Sequence, residues 1–422
     1  MIIKRYYILY FLFLAIFIHF SPFDEYMRKI KFIDTTLSNY FIAFFIFFFV
    51  LLFNRIPINK NASIITFILF CVFLINFIFA PYRNPSWFLY QVIFLLTSLY
   101  TASIYSYIRS SDYEIISKNI EKICNAGLII ICFISIYLMV NYFEILQLFF
   151  KAKGVFNAYI WQLYEDFYWD KHQSAATIII IICHVLLSRT HKLRNYFFMI
   201  PVLPVIIGMR SLVLGFILSI LSIKLKKAKH PLLTSFVFLM FIFIFTTVFW
   251  NDIYETFMSE RRATGYVNIF YIISNYPFGV GHGVYHDFVN YYSTFDFSDI
   301  TGQEIVSDSP ESDIVYAFGS FGLLFGLIFY FTLSIVFFKL WKMYPYLKRP
   351  DKFFALIYIY FFFAGIGEDW MFGFGYWILF GFALGVVTAK RNNHLLFQAI
   401  RVRENINLKP QQNEIAATIN RR

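Results

Sequence analysis

The sequence predicts an all-α, polytopic membrane protein: a helical bundle of about 12 transmembrane segments with one large outward-facing loop. Three observations predict it. The 422 residues are 59% hydrophobic and only 14% charged, where a soluble domain carries about 25% charge; the mean hydropathy is +0.64. Apolar runs approaching the length of a bilayer crossing recur along the chain. They lack the alternation of a barrel strand, and in lipid only helices or closed barrels satisfy every backbone group. Lastly, a single long hydrophilic excursion, 251–313, holds ten carboxylates against two basic residues, Arg261 and Arg262.

The first run follows Lys4-Arg5 and imitates a signal peptide, but no small-x-small cleavage site follows it, so it reads as a retained span. The expected segments are 6–22, 38–54, 63–80, 87–108, 123–142, 173–188, 196–207, 212–223, 231–250, 314–338, 353–366 and 370–389. The organisation is therefore 1–250 with nine spans, 251–313 as the loop, 314–389 with three spans and 390–422 as a cytoplasmic tail. Segments seven and eight are short. About 12 apolar residues at 1.5 Å each cover roughly 18 Å of a ~30 Å core. Pro201 and Pro204 kink the first of them. Two short spans or a re-entrant hairpin fit equally, and either places 208–211 at a tip.

A net charge of +11 does not indicate nucleic acid, because the basic residues sit in short loops as topology signals. Their bias puts both termini inside and the acidic loop outside. Cys71, Cys124, Cys132 and Cys183 all fall in apolar segments, so neither a disulfide nor a thiolate metal site is expected. The aromatic-rich stretch 143–172 reads as a belt lying at the membrane interface.

Few residues can carry chemistry. Arg210, at the 208–211 tip, would cost about 2.5–3.5 kcal/mol near a bilayer centre, so it is expected either to bind phosphate through its planar fork or to reach the headgroups. Arg261 and Arg262 either balance Glu255 and Glu260 or join Arg210 around a diphosphate. The turn Phe278-Gly-Val-Gly-His-Gly283 has no βαβ unit to make it a dinucleotide fingerprint; its glycines permit a tight turn or a close backbone approach to a ligand. His282 and His286 are spaced to share a helix face, but no third ligand accompanies them, so no metal and no other cofactor is expected. At the mouth of segment ten, Asp313 is the expected helix cap and Glu311 the candidate general base. Glu368 and Asp369 read as a solvated turn.

Three landmarks resemble, in order, the O-antigen polymerase and ligase superfamily of bacterial membrane glycosyltransferases. They are Met209-Arg-Ser-Leu-Val-Leu-Gly215, then Asn275-Tyr-Pro-Phe-Gly-Val-Gly-His-Gly283 in the large loop, then Glu311-Ser-Asp-Ile-Val-Tyr-Ala-Phe-Gly-Ser-Phe-Gly322. The match covers about 190–340. Where the ligase branch commonly carries His-Asn, this chain has Glu311-Ser312, which favours the polymerase branch. The resemblance implies a metal-independent transferase in the bacterial cytoplasmic membrane, working on its periplasmic face. Its donor and acceptor would be polyprenyl-diphosphate-linked oligosaccharides. Membrane lipids and a chain-length regulator protein are the further partners it admits. Arg210, Arg261 and Arg262 would bind the diphosphate, and Glu311 would serve as base with His282 or His286 as its rival. The competing readings are a ligase, a lipid-linked oligosaccharide flippase or other transporter, and a membrane scaffold.

Overall fold

The computed structural model describes residues 4–21, 57–145, 158–188, 192–227, 269–270, 272–285, 312–365, 370 and 373–392. Their regular structure is entirely helical: α1 (Arg5–His19), α2 (Lys60–Phe79), α3 (Pro85–Ser106), α4 (Tyr113–Asn141), α5 (Ala158–Phe167), α6 (Lys171–Leu187), α7 (Lys192–Met199), α8 (Leu203–Gly208), α9 (Arg210–Lys227), α10 (Asp313–Met343), α11 (Asp351–Ala364) and α12 (Phe374–Thr388). Among the described residues, four helical stretches are long and apolar enough to cross a membrane: Lys60–Phe79, Pro85–Ser106, Tyr113–Asn141 and Asp313–Tyr346. The segments expected at 38–54 and 231–250, most of the acidic loop, the 366–369 turn and the tail beyond 392 lie outside the described residues.

Local chemistry sets the boundaries. Asn59 caps α2 by accepting from the backbone N–H groups of Asn61 (3.1 Å) and Ala62 (3.2 Å). Asn84 caps α3 by accepting from Trp87 N at 3.2 Å, with Pro85 at the first helical position. Pro201 and Pro204 do break their segment, which passes from α7 through a 3-10 turn at Ile200–Val202 into α8. The eighth segment is longer than its apolar run: α9 has 18 residues and a length of about 27 Å. Its last turn contains Lys224, Lys226 and Lys227, which an apolar count leaves out.

Small residues bring the central helices together, as expected where lipid supplies no hydrophobic drive for helix association. Gly381 and Gly385 of α12 lie against Ser98, Thr101 and Ala102 of α3; a Cβ on Gly381 would stand 2.7 Å from Ser98 O. Ser98 Oγ also donates to Trp377 O at 2.6 Å. The expected aromatic belt folds partly inward. Trp161 of α5 is exposed, but Tyr159 is buried, and Trp169 is buried with its Nε1 donating to Phe20 O at 3.1 Å.

At one end of the bundle a polar clasp holds the helix termini. Asp351, 1% exposed, accepts from Tyr105 Oη (2.8 Å), Tyr113 Oη (2.5 Å) and Arg391 Nη2 (3.2 Å). Arg391 Nη1 donates to the carbonyls of Tyr105, Ser106 and Ile108 where α3 ends, so one side chain satisfies carbonyls that helix termination leaves open. The opposite end carries the candidate site.

Candidate functional site

Helix α10 begins as a helix and then breaks. Its N-cap is Ser312, in extended backbone, whose Oγ accepts from Ile314 N at 3.2 Å. Asp313, the cap expected from the sequence, is instead the first helical residue. Its carboxylate is too far into the helix to turn back on the first turn and points across the bundle. Asp313 Oδ1 accepts from Trp370 N at 2.8 Å, and Asp313 N donates to Gly365 O at 2.8 Å. The start of α10 is thereby fastened to the end of α11.

Two turns later Gly322 adopts φ 72° and ψ −176°, interrupting the helix that the sequence predicts as one straight span. A broken helix leaves carbonyls without their helical partners. The glycine turn takes up two of them. Val280 N donates to Gly319 O at 3.0 Å and Gly281 N to Ser320 O at 3.2 Å. The glycines are needed for this approach. Gly279 has φ 74°, and a Cβ there would strike the carbonyl of Ser320. Gly322 faces it reciprocally, with the carbonyl of Pro277 in the way of any side chain. Of the two uses expected of these glycines, the structure shows the tight turn, with Gly279 N donating to Tyr276 O at 2.8 Å, and at Gly279 and Gly322 the close approach is to the chain's own backbone.

Asn76 locks the assembly. This amide near the end of α2 is 1% exposed. Its Nδ2 donates to Phe278 O and to Ser320 O, each at 2.8 Å, and its Oδ1 accepts from His282 N at 3.0 Å. One side chain thus ties the turn, the broken helix and α2 together.

His282 sits behind this lock in an aromatic box. Its ring stacks on Phe321 at 5.8 Å and meets Phe73 (5.1 Å), Tyr316 (5.4 Å) and Trp87 (5.9 Å) edge-on. The Tyr316 hydroxyl hydrogen-bonds its Nδ1. Burial pushes the imidazole down to about 3, so it is neutral at ordinary pH. Residues 282–284 are turn, with positive φ at Gly281 (121°) and Gly283 (75°), and His286, with which a shared helix face was expected, lies outside the described residues. Among the described residues, no three His, Cys, Asp or Glu side chains gather as metal ligands.

Arg210 is the first residue of α9, just after buried Met209; its side chain is outside what the structure describes. The backbone nevertheless places it. The Tyr360 hydroxyl donates to Leu212 O, and a Cβ on Gly215 would lie 3.0 Å from Ala364 Cβ. Arg210 lies five residues before Gly215, about 7.5 Å along the helix. It therefore starts α9 beside the end of α11, where Gly365 receives Asp313 N. Arg261, Arg262, His286 and Glu311 lie outside the described residues, Glu311 directly preceding Ser312 in the chain.

Sequence reasoning missed Asn76 and Tyr316. Asn76 had a signal, as the lone amide within the last turns of an apolar run. Tyr316 had none, being one of 31 tyrosines. No known family model matches the chain, and no curated protein matches it either.

Proposed function

We propose that this protein is a membrane glycosyltransferase of the O-antigen polymerase type, joining polyprenyl-diphosphate-linked repeat units into a surface polysaccharide. In this reading the end bearing Asp313 and His282 faces outward from the bacterial cytoplasmic membrane, both chain termini are cytoplasmic and about 12 segments cross. The observation that carries it is convergence. The start of α9, which Arg210 opens, packs on the end of α11; the start of α10, just after Glu311, is fastened to that same end; and the glycine turn with His282 packs on the first half of α10. They are separated in sequence by stretches of tens of residues.

The chemistry follows from that grouping. An acceptor hydroxyl attacks the donor's anomeric carbon, the bond to diphosphate breaks, and the diphosphate leaves with the electron pair. Arg210, with Arg261 or Arg262, stabilises the charge growing on that leaving group. Glu311 takes the hydroxyl proton, with His286 as its rival. His282, neutral and bonded to Tyr316, positions the turn in this scheme. The activated donor supplies the driving force. A transporter would also use a broken helix, with its free carbonyls holding a cation, but here the carbonyls at 319 and 320 are already taken by the glycine turn.

The test is polymer formation from purified protein and lipid-linked repeat units, resolved by chain length. Wild type is expected to give a ladder, and Glu311→Gln to slow it about 10²–10⁴-fold with folded protein unchanged. Wild-type protein that leaves every unit single, or passes units to a different acceptor, overturns the polymerase reading.

A further inference from the structure

Arg83 stands in the short link between α2 and α3, at the same end of the bundle as His282. It borders a small cleft lined also by Asn76, Tyr82, Asn84 and His282, with phenylalanines of α2 and α3. The link is fixed in place. A Cβ on Gly281 would strike the Tyr82 carbonyl, and the Asn84 side chain is engaged in capping α3. Among the described residues the guanidinium has no such engagement. Arg83 is exposed, and among the described residues the ion pairs are Glu114–Lys118 and Asp351–Arg391, neither of which involves it. Other described arginines are committed at the far end of the bundle: Arg5 to Tyr107 O, Arg349 to Leu187 O and Arg391 to Asp351.

We infer that Arg83 is an anion-binding residue that receives the phosphate oxygens of a lipid-linked substrate at the mouth of this cleft. The assignment rests on the polymerase reading and extends it to a part of the chain outside the three landmarks. A planar fork matches phosphate oxygens bidentately. The aromatic wall beside it suits the start of an apolar tail, and the rigid link presents the cation without an ordering cost in the backbone. A bilayer phospholipid headgroup offers the same oxygens, so the experiment separates the two sources.

Wild type, Arg83→Lys and Arg83→Gln are purified in detergent. Binding of radiolabelled farnesyl diphosphate is measured by equilibrium dialysis, and retained phosphatidylglycerol by native mass spectrometry. Loss of a charged, bidentate contact is expected to weaken farnesyl diphosphate binding about 10- to 100-fold in Arg83→Gln. Arg83→Lys should recover only part of it, and retained phospholipid should not change. Equal farnesyl diphosphate affinity in all three proteins overturns the assignment, as does loss of phosphatidylglycerol alone. If wild type forms polymer and binds the diphosphate while Arg83→Gln matches it, only Arg83 is misassigned. If wild type neither binds farnesyl diphosphate nor extends chains, the polymerase reading falls and this assignment falls with it.

Discussion

Replacing Asn76 by leucine removes three hydrogen bonds while keeping most of the side-chain volume. The consequences for the three partners differ. Ser320 O keeps the N–H of Gly281 at 3.2 Å. Phe278 O and His282 N lose the bonds, at 2.8 and 3.0 Å, that Asn76 gives them. A buried polar group left unsatisfied costs about 1–3 kcal/mol, so two such groups weaken docking of the glycine turn by about 2–6 kcal/mol. At roughly 1.4 kcal/mol per decade, even the lower figure raises the open population about 30-fold. The assay places a single cysteine at Val280, which is fully buried, in a background with Cys71, Cys124, Cys132 and Cys183 replaced by alanine. The rate of thiol labelling then reports opening of the turn. Asn76→Leu should label at least about 30-fold faster, with helical content unchanged. An equal labelling rate in both backgrounds would show that the turn is held by something other than this amide.

Three further outcomes are expected. The same reporter should show pH dependence, because His282 titrates near 3 when enclosed and near 6.5 when released. Opening takes up a proton between those values, so docking weakens as pH falls, by up to about tenfold per unit, normalised to an exposed cysteine; His282→Gln should abolish the slope. Arg391→Ala should cost about 3–5 kcal/mol, lowering the thermal unfolding midpoint in detergent, since it leaves the buried Asp351 carboxylate without its cation; an unchanged midpoint would mean that Tyr105 and Tyr113 alone suffice. Arg210→Lys should lose most polymer formation at normal expression, because an ammonium cannot reproduce the guanidinium fork; wild-type activity would exclude a bidentate contact.

The helical class was legible because bilayer physics leaves so few alternatives. Charge-poor runs of sufficient length already excluded strands and soluble helices. Glycine is where legibility ended. Gly381 and Gly385 stay helical and bring α12 onto α3, whereas Gly322 breaks α10 in a run of similar apolarity. The deciding difference is the partner waiting on the other side. Gly381 faces Ser98 of a packed helix, while Gly322 faces the carbonyl of Pro277, on a turn that arrives from far along the chain. A similar non-local effect displaced the cap. Ser312 and Asp313 are both good N-caps by residue type, and the choice was settled by Gly365 O and Trp370 N, which draw Asp313 across the bundle.

At the candidate site the sequence singled out segments but could not say which of their polar groups are already engaged. Local spacing suggested that His282 and His286 share a face; positive φ at Gly281 and Gly283 makes 282–284 a turn, which spacing alone does not reveal. The structure then assigns His282 to Tyr316, Asn76 to the turn, and Asp313 to Trp370 and Gly365. With the carbonyls of Gly319 and Ser320 also bonded, those groups offer a cation little to bind. An anion fares differently, since Arg83 presents its guanidinium there and α9 begins at that end with Arg210. The asymmetry suits a negatively charged ligand, and the lipid-linked diphosphate proposed above would supply both charge for the arginines and an apolar tail for the surrounding helices.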